Sequence, residues 1–269
     1  MKAMCIPQCI DFSQHGRVIK EKLFKYFPLR DYHIKAFLNN HMFLAFPSRL
    51  NDCYDTSDLL IDPFPKFKKI CGWCPEKAKR LDQHGICSFI EASDVKNGWM
   101  WSFYANNYNG FAIEYDPHLF DEYPPLLLMP IKYLDKALNL DDEQLCFRFH
   151  EDEIITIDDF KNGNSKFLDR AFQCLHLEKN RQLWEKENEW RVMLGEIRSQ
   201  KIRENLTDHQ DGYFLNISKL AYKALFIGYK VQEEYRKILT CIAKNKGMSV
   251  CLVTPKLINC QWDMEIKEI

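Results

Sequence analysis

Apolar residues recur along this chain in two rhythms, alternation for strands and a 3.6-residue spacing for helices. LFKYFP opens as an aromatic strand ended by Pro28, DYHIKAFLNN reads as a helix closing at Asn39 and Asn40, and HMFLAF is a short strand stopped by Pro47. PSRLNDCYDTSD is a polar loop. Lys66 to Gln83 predicts a helix with a Cys-containing break before Pro75, followed by a strand from Gly85 to Ile90. Asn97 to Tyr108 predicts a helix, and the Asn109–Gly110 turn leads into the strand FAIEYD. Leu126 to Leu134 predicts a strand after the break at Pro124 and Pro125, and a long helix is expected from Ser165 to Lys186, N-capped by Asn164 or Ser165. GYFLNI and KALFIGY are strand-like, VQEEYRKILTCIAKN is an amphipathic helix, and MSVCLVTP is the expected final strand. Strands and helices mix without regular βαβ alternation, so the expected class is α+β with a mainly antiparallel sheet in a single domain, residues 1–269.

WEKENEWRVMLG, Trp184 to Gly195, changes character in mid-stretch. As a strand from Glu187, its period of two puts Glu187, Glu189 and Arg191 on one face and Trp190, Val192 and Leu194 on the other. The two carboxylates then stand about 7 Å apart along the strand. That face is either a solvated sheet surface or the floor of a cleft.

Composition narrows the class. With 46% hydrophobic residues the chain can bury a sizeable core, and a formal net charge of -1 predicts neither a nucleic-acid footprint nor adhesion to an anionic membrane. No apolar run is long enough to span a bilayer. MKAMCIPQCIDF lacks the apolar core and small-residue site of a cleavable signal, so the expected compartment is cytoplasmic and the 11 cysteines are expected to be mostly reduced.

Cys71, Cys74, His84 and Cys87 form C-x2-C-x9-H-x2-C, a spacing that could supply zinc ligands or, through CGWC, a redox pair; a buried turn and strand is the plainer alternative. No phosphate-cradling Gly-rich loop, G-x-S-x-G elbow or H-E-x-x-H helix occurs. Trp99, Met100, Trp101, Ser102, Phe103 and Tyr104 could stack a planar ring, although aromatics at helical spacing more often belong to a core.

FKY near residue 25, FPSRLNDCYD at 46–55, MWSFYANNYNGFAIEYD at 100–116, ENEWRVML at 187–194 and ALFIGY at 224–229 stand in the order seen in a large bacterial family catalogued as a domain of unknown function. Members of that family resemble remote relatives of the ADP-ribosyltransferases. The chain departs from it at Phe27, where the family has Arg, at Cys53, where it has Pro, and at Phe103, where it has His. Lys25, Arg30 or Arg49 would have to replace the missing guanidinium.

The resemblance implies a split, mainly antiparallel ADP-ribosyltransferase-like sheet and an NAD-dependent mono-ADP-ribosyltransferase. Its partner would be a protein substrate modified on a side chain, with arginine a candidate. NAD would be consumed as substrate, by an effector or toxin that reaches a host or competitor cell without a cleavable signal. Glu189 would be the catalytic carboxylate and Glu187 the acceptor-side group, with Tyr26, Arg30, Ser48, Trp101, Ser102 and Tyr104 around the NAD. A non-catalytic nucleotide- or protein-binding module on the same fold is the alternative, as is a zinc or redox protein using Cys71, Cys74, His84 and Cys87.

Overall fold

The computed structural model describes the chain except residues 1–8, 12–18, 56–60, 62, 73, 77–78, 80–83, 119–125, 143–144, 151–152, 164–170, 172–174 and 195–199. The first strands are β1 (Cys9–Asp11), β2 (Lys22–Pro28), β3 (His41–Ala45), β4 (Gly85–Ala92), β5 (Gly110–Tyr115), β6 (Leu126–Pro130), β7 (Lys132–Leu134) and β8 (Cys146–His150). They continue as β9 (Glu153–Thr156), β10 (Glu178–Asn180), β11 (Glu189–Leu194), β12 (Leu206–His209), β13 (Gly212–Asn216), β14 (Tyr222–Gly228), β15 (Ser249–Ile258) and β16 (Gln261–Glu268). Helices are α1 (Asp31–Leu38), α2 (Pro65–Cys71), α3 (Gly98–Phe103), α4 (Ile157–Lys161), α5 (Arg181–Trp184), α6 (Gln200–Asn205) and α7 (Glu233–Asn245).

The chain gathers into two compact units. One holds Met1–Val18, Ala45–Ile86 and Met129–Lys186, the other Ile19–Leu44, Cys87–Leu128 and Glu187–Ile269. No Gly- or Ser-rich linker marks the passages between them, so composition gives no boundary.

In the first unit, β1 pairs with β8 in parallel and β8 with β9 antiparallel, while β7 and β10 form a short parallel pair. Pro65 starts α2 and Gly72, left-handed, ends it, the usual start and stop asymmetry. The long helix expected to Lys186 is not continuous: β10, α5 and a 3-10 turn occupy 178–187. Asn180 interrupts it by capping α5, its side chain accepting from the Leu183 N–H. The expected cap at Asn164 or Ser165, the break at Pro124–Pro125 and residues 80–83 lie outside the described residues.

The second unit is built on the sheet ordered β12-β13-β3-β4-β2-β5-β14-β15-β16, with β11 also pairing with β4. β14 and β15 are parallel, joined through α7; β2–β4, β2–β5, β5–β14 and β15–β16 are antiparallel. The α+β expectation with a mainly antiparallel sheet holds. MSVCLVTP is not the last strand. Asn259 and Cys260, at φ 50° and 62°, make a left-handed two-residue turn into β16, and a Cys in that second place gives no Asn-Gly signal to read.

Alternation sorts the side chains into two apolar layers. Leu23, Phe111, Ile113, Leu225 and Ile227 face one way and pack with Phe37 of α1 and Leu239, Ile242 and Ala243 of α7. Phe24, Tyr26, Ala112, Ala224 and Phe226 face the other way and meet Met100 and Trp101 of α3. Between β2 and β4 the ladder stops early. Lys22, Leu23 and Phe24 pair with Ala92, Glu91 and Ile90, whereas β2 stays paired with β5 as far as Pro28. Two steps beyond the last pair, where Tyr26 would face Ser88, the Lys25 Nζ donates to the Ser88 carbonyl at 3.0 Å and satisfies the acceptor that the ladder leaves.

The helix expected over Asn97–Tyr108 ends at Phe103. Asn106, Asn107 and Tyr108 are all left-handed, at φ 47°, 53° and 65°, a conformation that Asn tolerates best among non-Gly residues. This turn lies backbone to backbone on the sheet. A Cβ on Gly228 would stand 2.2 Å from the Tyr108 carbonyl oxygen, and one on Gly110 2.2 Å from that of Phe27.

Two stability predictions follow from these contacts. Gly228→Ala forces the Tyr108 turn off β14 and should cost about 2–3 kcal/mol in urea unfolding; an unchanged midpoint would show that the turn yields without cost. Burial pushes the Glu178 carboxyl up from 4.5 to about 7, against the opposing Leu138 N–H bond and the Lys132 charge. The folded state therefore holds a proton that the unfolded chain releases between pH 4.5 and 7, so this group's stabilising share is present below 4.5, falls as pH rises, and levels off above 7. Glu178→Gln should flatten that slope and raise stability at pH 8, by up to roughly 3 kcal/mol. Parallel pH–stability curves for the two proteins would refute it.

Candidate active site

Three features bring β11 to β4. The 3-10 turn Glu185–Glu187 leads in, Asn188 adopts φ 45°, and the strand begins at Glu189. The strand expected from Glu187 thus starts two residues later, because the left-handed Asn188 breaks the period of two. All six residues of β11 are buried. Trp190, Val192 and Leu194 join the apolar layer that holds Cys87 and Phe89, as the alternation predicts.

Glu187 and Glu189 are each only 4% exposed, so neither lies on a solvated strand edge. Glu187 Oε1 accepts from the Tyr104 hydroxyl at the C-terminal end of α3. Glu189 Oε1 accepts from Arg191 Nε at 2.7 Å, an ion pair whose guanidinium is 1% exposed. Burial of this kind is tolerated only when charges are paired and hydrogen-bonded.

Glu91 is a further buried carboxylate beside this pair, and sequence reasoning passed over it. Its Oε1 accepts from the backbone N–H groups of Lys20 at 2.7 Å and Glu21 at 3.2 Å, and its Oε2 from the Trp190 indole at 2.9 Å. The available signal was an acid inside GICSFIEA, on the same strand face as Cys87 and Phe89. Cys87 lies where Lys25 and Glu189 are both felt. Burial pushes its thiol up, opposed by the Lys25 ammonium and reinforced by the Glu189 charge.

The aromatic and polar groups expected around NAD separate. Tyr26 and Trp101 meet edge to face at 5.4 Å, and both give their polar hydrogens to the Val95 carbonyl, at 3.1 and 2.8 Å. Both are core, and burial pushes the Tyr26 phenol well above its ordinary value. Tyr104 reaches Glu187, while Ser102, two residues before it, is exposed. Arg30 stands at the start of α1, donates to the Tyr32 hydroxyl at 2.8 Å and lines a cavity of ≈ 300 Å³ with Asp31, Asn109, Lys230 and Tyr235. Ser48 is an exposed residue of the first unit.

No family model, curated protein or solved structure matches this chain. The function is therefore argued from the site. Phe27, half-buried, stacks on Phe111 at 5.1 Å against the core, and the exposed Phe103 packs on Trp99 at 4.1 Å. Lys25, 5.7 Å from both the Phe27 and Phe89 rings, is a cation at the place where the β2–β4 ladder opens. Among the described residues no three His, Cys, Asp or Glu side chains gather as metal ligands. The Cys71 thiol, buried at the end of α2, donates to the Lys68 carbonyl at 3.5 Å.

Chemically, this is a pair of preset carboxylates in a low-dielectric setting, where a fixed negative charge acts on a nearby cation more strongly than in water. Arg191→Met should leave Glu189 buried without its guanidinium and cost about 3–5 kcal/mol, with part of the loss recovered in Glu189→Gln/Arg191→Met. Chemical denaturation of the four proteins measures the coupling; additive losses would mean the pair contributes nothing specific.

Proposed function

We propose that this protein is an NAD-dependent mono-ADP-ribosyltransferase, with Glu189 as the catalytic carboxylate and Glu187 as the group facing the acceptor. The observation that carries it is the burial of both carboxylates beside an Asn turn, each held by a different side chain, Tyr104 or Arg191. Cleavage of the glycosidic bond to nicotinamide leaves positive charge on the ribosyl carbon, and an acceptor nitrogen then bonds to that carbon and loses a proton. A carboxylate whose rotamer is already fixed stabilises the charge without reorganising. The Arg191 guanidinium supplies that fixation for Glu189, and the Tyr104 hydroxyl does so for Glu187. The mainly antiparallel sheet that opens beyond Phe24 agrees with the ADP-ribosyltransferase resemblance.

Purified protein incubated with labelled NAD and either a mixed lysate or free arginine tests the proposal. Wild type should label an acceptor, and Glu189→Gln should lose at least about 100-fold in rate. Glu187→Gln should lose transfer while still releasing nicotinamide. Equal labelling by wild type and Glu189→Gln, or none by either, rules against the transferase. Phe27, half-buried and stacked on Phe111 where the resembled family has an Arg, favours a second reading, a module that binds NAD without turnover. NAD would then raise the melting temperature with no nicotinamide released.

A further inference from the structure

We infer that Asn188, clamped to the backbone of Glu91, is the positioning residue that directs Glu187 and Glu189 to their separate partners. Its consequence for catalysis rests on the transferase reading above; the clamp itself is a matter of geometry. The Glu91 N–H donates to the Asn188 carbonyl at 3.1 Å, and Asn188 Nδ2 donates to the Glu91 carbonyl at 2.6 Å. In an extended strand the second bond would come from a backbone N–H. At φ 45° the side-chain amide takes that place, so the connection to β4 survives a residue at which the chain turns.

The turn separates two like charges. A regular strand would point Glu187 and Glu189 to one face, about 7 Å apart along it. With the left-handed residue between them, Glu187 reaches Tyr104 on the α3 side and Glu189 reaches Arg191 along β11. The anchor cannot drift, because the Glu91 carboxylate is itself held by the Lys20 and Glu21 N–H groups and by the Trp190 indole. Asn188 is exposed, so removing its side chain opens no cavity.

Asn188→Gly keeps the left-handed backbone accessible and removes only the amide bond to Glu91. Asn188→Ala removes the bond and also strains the backbone. Asn259→Gly, at φ 50° in the exposed β15–β16 turn, is the matched control for adding a glycine. Two readouts are made on the full-length chain. The first is kcat and KM for NAD, where Asn188→Gly should lower kcat about 10- to 100-fold, leave KM within about threefold, and leave the melting temperature near that of Asn259→Gly. The second is the pH titration of the side-chain carboxyl carbons of Glu187 and Glu189, assigned through their Gln variants. Their midpoints should move by at least about half a pH unit in Asn188→Gly and stay put in Asn259→Gly. Unmoved midpoints overturn the clamp whatever the activity, and so does an unchanged kcat in an active enzyme. If wild type turns over no NAD, the transferase reading falls on its own account, and moved midpoints still support the clamp.

Discussion

The second unit depends on a single constraint, that each charged side chain buried where β11 meets β4 needs a partner within the protein. Glu91, Glu187, Glu189 and Arg191 are each at most 7% exposed, and an unpaired charge at any of them would cost several kcal/mol. Their solutions differ and interlock. Glu91 is met by two backbone N–H groups just before β2 and by an indole of β11, so one carboxylate ties three segments together. Glu189 is met by the guanidinium two residues along its own strand, and Glu187 by a phenol on another element. A polar network with this much of its bonding internal fixes register more firmly than apolar contact alone, because a one-residue slip of β11 would place a carboxylate in the layer of Trp190 and Val192.

The same unit shows how an irregular element can be seated on a regular sheet. Three successive left-handed residues, Asn106 to Tyr108, bring backbone against backbone at β14, and Gly228 leaves the necessary space. Tyr108 then stacks flat on Trp101 at 5.5 Å, so the turn, α3 and the sheet share one apolar layer. Since Tyr104 lies between α3 and this turn, the hydroxyl that reaches Glu187 is held by packing on both sides in sequence.

Much of the second unit was legible because its strands alternate and its helices have clear stops. Pro28, the Asn39–Asn40 pair and the Asn109–Gly110 turn all mark real boundaries. Where the reading failed, the cause was local backbone chemistry hidden in ordinary residue types. Asn188, the turn at Asn106–Tyr108 and the Asn259–Cys260 hairpin are all left-handed without glycine at those positions. The helix expected through 178–186 failed for another reason, since charged residues with good helical propensity form β10 by pairing with β7. At the candidate site, Glu187 and Glu189 were legible as a pair, but Glu91 was not. Its importance lies in partners 70 and more residues away in sequence.

Glu187, Asn188 and Glu189 read in one dimension as two acids on one strand face. In three dimensions the middle residue matters as much as the outer two, because it decides whether like charges share a face or part company. Two carboxylates driven onto one buried face would repel, and one would hold a proton that the other released. Parting them lets each keep its own donor, and so its own direction. The Asn188 amide achieves this with a single hydrogen bond to a strand already fixed at Glu91. A short polar side chain that can imitate a peptide N–H is therefore the simplest residue for that place.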